Sequence, residues 1–251
     1  MEVHHHAHTA ADPDSHRGRK KWTHYFWEFL MLFLAVFCGF LAEYQLEHKI
    51  EKEREKVYIV SMIEDLKKDT ASLAFTIGDY EKMDKRLDTA LDLYSLLAKG
   101  YKDTLWRNLP SRFPDFIKSN RTMQQLLYAG GLRLIKNRKS SDGIIEYDLQ
   151  YDDLNIDVNS LKLIFQECMR SRRELLDFAA LEKDKKTISI ADLNASKKNY
   201  LLRTDLPFLG KYNNEIRGFK IVCKMVQSQQ KKMLDKAAQL IPVLKKEYRL
   251  K

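Results

Sequence analysis

Glycine, proline and cysteine are scarce in this 251-residue sequence, which has 9, 5 and 3 of them. So few glycines and prolines leave little turn chemistry for a sandwich or barrel of strands, and three cysteines exclude a disulfide-rich scaffold. Long stretches rich in Leu, Lys, Glu, Asp, Arg and Ala are typical of helices instead. The composition therefore predicts an all-α protein.

Recognisable catalytic motifs are also lacking. The sequence has no phosphate-binding loop, dinucleotide fingerprint, HExxH helix, nucleophile elbow or CxxC pair. Gly130 and Gly131 lack the lysine and strand that a nucleotide loop requires, so they indicate a turn that ends a helix. We therefore expect no enzymatic activity, no cofactor and no small-molecule substrate.

One hydrophobic run interrupts the charged character of the chain. Residues 29–42 read FLMLFLAVFCGFLA, and neighbouring apolar residues extend the run to Tyr25 and Tyr44. A helix over this extended range covers about 30 Å, the thickness of the hydrocarbon core of a bilayer. Trp22 and Trp27 near one end and Tyr44 at the other suit the aromatic belts of the two interfaces.

Three regions follow from this run. We predict a disordered, His-rich and basic tail over 1–24, a transmembrane helix over 25–44 and a helical domain over 45–251. A cleaved signal peptide is the alternative. The sequence lacks the small-residue cleavage site that a signal peptide needs after the run. The bulky Phe37 before Cys38 does not suit lipoprotein processing either. An uncleaved anchor is the favoured interpretation.

The charges that flank the run predict its orientation. Basic residues cluster just before it, whereas basic and acidic residues alternate just after it. Because positive flanks stay in the cytoplasm, we expect a cytoplasmic N-terminus and an extracytoplasmic helical domain. The basic residues before the run are Arg17, Arg19, Lys20 and Lys21.

Two features inside the run suggest contacts. Ala35, Cys38, Gly39 and Ala42 fall at i, i+3, i+4 and i+7, so they form one small-residue face that lets a second helix approach closely. Glu28 lies near the hydrocarbon boundary, where a carboxylate is stable if it reaches the headgroups. The alternatives are incidental small residues and a paired or proton-carrying Glu28.

The rest of the chain shows three heptad seams, in which apolar residues recur in steps of three and four. The first helix is predicted to continue the membrane helix without a break, over about 43–99. A shorter helix is predicted over about 115–128, and long helices over about 142–183 and from Thr204 or Asp205 onward. These helices predict an antiparallel bundle, with a homo-oligomeric coiled coil as the alternative. The seam residues are Leu66, Thr70, Leu73, Ile77, Tyr80, Asp84, Leu87, Leu91 and Tyr94; Ile144, Tyr147, Tyr151, Leu154, Val158, Leu161, Phe165, Cys168, Arg172, Leu175 and Ala179; and Leu209, Tyr212, Ile216, Phe219, Cys223, Val226, Gln230, Met233, Ala237, Leu240, Leu244 and Tyr248.

The net charge of +9 falls on the part of the chain that follows the run. Lysines alternate there with acids, without a basic stripe or interleaved aromatic residues, so a solvated surface is favoured over nucleic-acid binding. The lipid bilayer is one expected partner. A membrane protein or a second copy of the chain is the other.

Histidines and cysteines supply two further candidate sites. His4, His5, His6 and His8 lie in the tail and are able to chelate a borderline metal ion, although a flexible tail with incidental binding is favoured. The second candidate is a disulfide between Cys168 and Cys223, which occupy seam positions on different helices. Two reduced core thiols are favoured over that bond.

Several segments carry a resemblance to a family. They are REKVYIVSMIEDLKKD (54–69), TMQQLLYAGGLRLIKN (122–137), IIEYD just after it, and KAAQLIPVLKKEY in the last helix. Together with the single span, the chain resembles an uncharacterised family of small single-span envelope proteins from Bacteroidota-type bacteria. The resemblance implies an inner-membrane anchor with a periplasmic helical domain, and it implies no activity.

These observations predict a non-enzymatic, membrane-tethered interaction or scaffold protein, such as an accessory subunit of an envelope complex. One alternative is a sensory, ligand-binding helical bundle that signals through a partner. Another is a subunit of an ion-coupled membrane complex that uses Glu28. The span, the small-residue face and the boundary carboxylate are the features that bear on this choice.

Overall fold

The computed structural model describes residues 17–98, 111–128, 130–187 and 200–250. Within these ranges the protein is all-helical and contains no strand, which confirms the predicted class. The helices are α1 (Arg17–Ala98), α2 (Arg121–Tyr128), a 3-10 helix (Gly131–Leu134), α3 (Arg138–Leu175), α4 (Phe178–Thr187) and α5 (Leu206–Glu247). The chain divides into two compact units, with the boundary between Arg54 and Glu55.

Helix α1 is 82 residues long and has no break where the apolar run meets the charged stretch. The continuous first helix is therefore confirmed, although it begins at Arg17, before the predicted start at Tyr25. No proline occurs in α1, so its backbone hydrogen bonds continue from the apolar run into the charged stretch.

Helices α1, α2, α3 and α5 share the main hydrophobic core of the second unit. A smaller cluster contains Leu181 and Tyr200. The seam periodicity predicted most of the main core, because residues three and four apart lie on the same face of a helix. Most seam residues with a described side chain are buried, Ala179 is exposed, and the half-buried ones are Thr70, Asp84, Leu91, Tyr151, Phe165 and Tyr248. The Tyr94 side chain lies outside the described part of the structure. Leu66, Leu73, Leu161, Val226 and Met233 are fully enclosed.

The segment before α2 is not helical. The short helix was predicted from about Asp115, but α2 begins at Arg121 and residues 113–120 have irregular backbone. Met123 and Leu126 bury one face of α2. Gly130 then adopts a positive φ of 65°, a left-handed conformation that glycine tolerates without strain, which fits the predicted helix-ending turn.

Helix α3 differs from its prediction at both ends. Its N-cap is Asn137, whose side chain accepts a hydrogen bond from the Ser140 backbone N–H at 3.0 Å, so a start at Asp142 was wrong. It ends at Leu175, whereas one helix was predicted to Lys183. The break has a tertiary cause, because the Asp177 N–H donates to the Tyr200 carbonyl at 2.8 Å in an isolated bridge beside Leu176.

Helix α5 begins where the sequence predicts. Asp205 is its N-cap, and its carboxylate accepts a hydrogen bond from the Phe208 backbone N–H at 3.1 Å. The helix continues through Pro242 to Glu247, although proline removes one backbone donor. Pro242 therefore does not end the helix.

Gln230 is a polar residue in the middle of the α5 seam. Its side chain is fully buried, and neither Oε1 nor Nε2 has a hydrogen-bond partner among the described residues. An unsatisfied buried polar atom costs about 1–3 kcal/mol relative to its solvated state. Gln230 therefore lowers the stability of the core.

We expect Gln230→Met to raise the free energy of unfolding by about 1–3 kcal/mol, because Met has a similar shape and no strong polar atoms. Urea denaturation followed by circular dichroism measures this change. Gln239→Met on the exposed side of the same helix is the matched control and is expected to change stability by less than about 0.5 kcal/mol. A destabilised Gln230→Met variant would contradict the prediction.

Candidate functional site

The apolar part of α1 in the first unit is the first candidate site. One helix near the N-terminus is long and apolar enough to span a membrane by length and composition, and its most apolar 18-residue window has no buried residue. Phe29, Phe33 and Phe37 lie one turn apart, with ring centroids 6.2 and 5.9 Å from one another along the row. All three are exposed, so this segment presents a continuous aromatic and aliphatic surface.

The small-residue face lies on this segment. Ala35, Cys38, Gly39 and Ala42 are all in α1 and all exposed. A methyl group added at Gly39 would meet no atom within 4 Å, so nothing in the described chain covers this position. The face is therefore uncovered within the described part of the chain.

Glu28 has a neighbour that the sequence analysis did not single out. The His24 Nε2 atom lies 3.4 Å from the Glu28 Oε1 atom, one turn away on α1. Both side chains are largely exposed. Residues at i and i+4 on a helix are well placed for such a contact. The pair places two ionisable groups beside the start of the apolar segment.

The predicted metal site falls on the N-terminal histidines. His4, His5, His6 and His8 lie outside the described residues. In the part of the chain that the structure describes, no group of three or more His, Cys, Asp or Glu residues is arranged to hold a metal ion.

Cys168 and Cys223 are both free and buried. Burial raises the pKa of the Cys168 thiol to about 12, and burial also raises the pKa of Cys223. The Cys223 Sγ atom lies 3.9 Å from the Met83 Sδ atom. A high pKa suppresses the reactive thiolate, so both cysteines have the properties of apolar core residues here.

Two buried carboxylates on α1 form a second candidate site, which we call the capping carboxylates, Asp65 and Asp69. Asp65 accepts hydrogen bonds from the Thr122 backbone N–H at 3.1 Å and from its hydroxyl at 2.6 Å. Asp69 accepts one from the Ser119 backbone N–H at 2.7 Å. The first N–H groups of a helix have no partner within it, so Asp65 supplies an acceptor at the start of α2 from another element. Asp69 holds the backbone two residues before the helix begins.

Helix α3 contacts the same site through Tyr147. Its buried hydroxyl donates to the second oxygen of Asp69 at 2.7 Å. Asp69 is only 1% exposed, yet both of its oxygens are hydrogen-bonded. One carboxylate therefore connects α1, α3 and the segment that leads into α2.

Further contacts hold the irregular segment 113–120 in place. The Tyr80 hydroxyl donates to the Pro114 carbonyl at 2.7 Å. The Lys118 ammonium donates to the Asp148 carboxylate and lies 4.4 Å from the centre of the Tyr151 ring. These contacts provide partners for a segment that has no regular secondary structure.

The sequence analysis missed this site. Asp65 and Asp69 stand one turn apart in a run of charged residues, a pattern that indicates a solvated surface. Asp65 directly precedes the seam residue Leu66, and Asp69 follows it by three residues. This closeness to the seam was the only sequence signal that the two side chains are buried. It was insufficient because their partners lie 57 and 50 residues away in the sequence.

The pKa of Asp69 is raised above its ordinary value of 3.8, mainly because burial disfavours the charge. Hydrogen bonds from Ser119 and Tyr147 oppose the increase, and the nearby Asp65 adds to it. A carboxyl whose pKa is higher in the folded state binds its proton more tightly there. Its contribution to stability is therefore fully present below pH 3.8 and is lost as pH rises through the folded pKa.

We expect the unfolding free energy of the wild type to fall relative to that of Asp69→Asn as pH rises from 3.8 through the raised pKa. The expected slope between the two pKa values is about 1.4 kcal/mol per pH unit. Urea titrations of both proteins from pH 4 to pH 8 measure the difference. A difference that does not change with pH would show that Asp69 titrates alike in the folded and unfolded chains.

Comparisons with protein-family models, curated proteins and solved structures find no match to this chain. The described part of the chain is all-helical, and one of its helices is long and apolar enough, by length and composition, to span a membrane.

Proposed function

We propose that this chain is a non-enzymatic scaffold or interaction protein that one helix anchors in a membrane. The observation that carries the proposal is the exposed apolar segment of α1. Its most apolar stretch of 18 residues has a mean hydropathy of 2.0 and contains no buried residue. Apolar surface of this extent is unstable in water and stable in hydrocarbon. The hydrocarbon core of a bilayer is thick enough to surround the whole segment.

The matching experiment is alkaline carbonate extraction of membranes that contain the full chain. Integral proteins stay in the membrane pellet under these conditions, whereas peripheral proteins are released. We expect the chain in the pellet, and detergent is expected to solubilise it. Release of the chain into the supernatant by carbonate alone would overturn the anchor.

An inner-membrane location with a cytoplasmic N-terminus and a periplasmic helical domain is part of the proposal. It is supported by the basic cluster before the span and by the resemblance described above. The exposed His24 and Glu28 side chains favour an interfacial position for this end of the span. Protease protection in spheroplasts tests the orientation, because a periplasmic domain is digested before the inner membrane is broken.

We further infer that the second unit is an antiparallel bundle. Hydrogen bonds between α3 and α5 support this arrangement. In successive pairs the residue number rises along α3 and falls along α5, as expected for antiparallel helices. The Asn137 side chain donates to Glu247 at 2.7 Å, Lys236 to Glu146 at 3.2 Å and Gln150 to Gln229 at 3.1 Å.

Contacts between α1 and α5 follow the same order. Glu55 accepts a hydrogen bond from Tyr248, the Ile77 carbonyl accepts one from Gln227 at 3.2 Å, and Asp88 pairs with Lys220. Three long helices arranged in this way form a surface with fixed relative positions of its side chains. Such a surface suits docking better than catalysis, for which no converging acid, base and nucleophile is present among the described residues.

The small-residue face is proposed to contact a second copy of the chain or another membrane helix. Small side chains let two helix backbones approach closely in a bilayer, where van der Waals packing drives association. The exposed Cys38 lies on this face, and the other two cysteines are buried. Mild oxidation in membranes is therefore able to trap Cys38 of two neighbouring copies as a disulfide.

We expect Gly39→Leu to reduce the trapped dimer, or the yield of a co-purifying membrane protein, at least about fivefold, corresponding to about 1 kcal/mol of lost packing. Non-reducing gels and detergent pull-downs provide the two measurements. Val36→Leu on the same segment is the matched control and is expected to leave both yields unchanged. Absence of any dimer or partner in the wild type would count against the interaction role.

A further inference from the structure

A cavity of about 20 Å³ lies between the helices of the second unit. Leu87 of α1, Phe165 and Met169 of α3, and Phe219 of α5 provide an apolar lining. Arg172 of α3 and Tyr212 of α5 add two polar side chains. The space is enough for one occupant of about the size of a water molecule.

Arg172 is unusual because it is buried without an ion pair to any residue that the structure describes. It is 7% exposed, and its Nε atom has no hydrogen-bond partner among the described residues. The centre of the guanidinium lies 5.8 Å from the centre of the Phe178 ring, which is a weak cation–π contact. A buried cation is costly unless an anion compensates it.

The described residues place no carboxylate in an ion pair with the guanidinium. The charge of Glu215 on α5 acts on two residues of the cavity lining, Cys168 and Tyr212, but this carboxylate pairs with Lys211 at 3.7 Å. Burial lowers the pKa of Arg172, but an arginine side chain still keeps its proton at physiological pH. The titratable side chain whose charge is coupled to it is Tyr212. Burial raises the pKa of Tyr212, so the phenol is neutral at pH 7 and leaves the positive charge of Arg172 unbalanced.

We propose that this cavity is a binding site for a small monovalent inorganic anion of the size of chloride, held by the Arg172 guanidinium. The volume admits one small ion and excludes a carboxylate that carries an alkyl chain. The apolar walls favour a weakly hydrated halide over sulfate or phosphate, because the cost of desolvation increases with charge. Binding places an anion beside an otherwise uncompensated buried cation.

Thermal unfolding of the full chain in detergent tests the site, with chloride or bromide compared against gluconate at the same ionic strength. Gluconate is too large for the cavity, so it controls for general screening. At ten times the dissociation constant, we expect the halide to raise the melting temperature by about 3–5 °C, with a saturable dependence on concentration. Equal melting temperatures in the two salts would overturn the proposal.

Arg172→Met removes the guanidinium and keeps an apolar side chain, so we expect it to remove the halide-specific increase. Arg173→Met is the matched control, because Arg173 is the exposed neighbour on the same helix, and it should keep the increase. A halide increase that survives in Arg172→Met would refute the assignment.

A second measurement does not depend on the folding of a variant. Chloride that exchanges at a protein site broadens the ³⁵Cl resonance, and we expect the wild-type chain to broaden it in a manner that bromide displaces. The absence of bromide-displaceable broadening would likewise overturn the site.

Discussion

Two arginines in the apolar segment of α1, Leu34→Arg together with Phe37→Arg, are expected to release the chain from the membrane that we propose it spans. Each arginine at the centre of a transmembrane helix costs about 2.5–3.5 kcal/mol on insertion scales, so the pair costs about 5–7 kcal/mol. Both positions are exposed on α1, so these substitutions disturb no core of the second unit. Carbonate extraction is expected to move the variant from the pellet to the supernatant.

A matched pair separates this effect from a general effect of added charge. Ile156→Arg with Leu163→Arg places two arginines at exposed positions of α3, and that variant is expected to remain in the pellet. Retention of the span variant in the carbonate-resistant pellet would contradict the assignment of this segment as the anchor. Release of both variants would point to misfolding instead.

Asp69→Ala is expected to lower the free energy of unfolding by about 2–5 kcal/mol. The variant leaves the Ser119 backbone N–H and the buried Tyr147 hydroxyl without their acceptor, and each orphaned donor costs about 1–3 kcal/mol. Relief from burying the carboxylate, whose pKa is raised, offsets part of that loss. Urea denaturation at pH 7 measures the balance.

Asp153→Ala is the matched control, because Asp153 is an exposed aspartate on a long helix. Its expected effect is less than about 0.5 kcal/mol. Tyr147→Phe removes one donor and keeps the aromatic ring, so it is expected to cost less than Asp69→Ala. If Asp69→Ala and Asp153→Ala were equally stable, Asp69 would have no role in holding the segment before α2.

The helical class and most of the core could be predicted from the sequence, because both depend on local periodicity. Ile144, Leu154 and Leu161 recur in steps that place them on one face of α3, and all three are buried. The start of α5 was equally readable, since an N-cap aspartate stands directly before Leu206. Such signals lie within a few residues of the feature they specify.

Features that depend on distant residues were not predictable in this way. The helix break after Leu175 has no glycine or proline to announce it and depends on backbone pairing of Asp177 with Tyr200. The capping carboxylates read as surface charges until Ser119 and Thr122 are placed beside them. Tertiary structure thus decides what a polar residue near a seam does.

The same tertiary dependence governs the buried Arg172. A cation at a heptad seam position usually sets register or reaches solvent. Arg172 is instead buried, with the Phe178 ring of α4 near its guanidinium. The sequence showed the unusual residue but not the cavity that surrounds it.

The capping of α2 by residues of α1 has a consequence for hydrogen exchange. An isolated helix of eight residues is too short to be stable in water, so α2 depends on its contacts with the rest of the unit. Its amides should then open to solvent together with the turn of α1 that contains Asp65 and Asp69, as one cooperative unit. Native-state exchange is expected to give both segments the same opening free energy, although they are far apart in sequence.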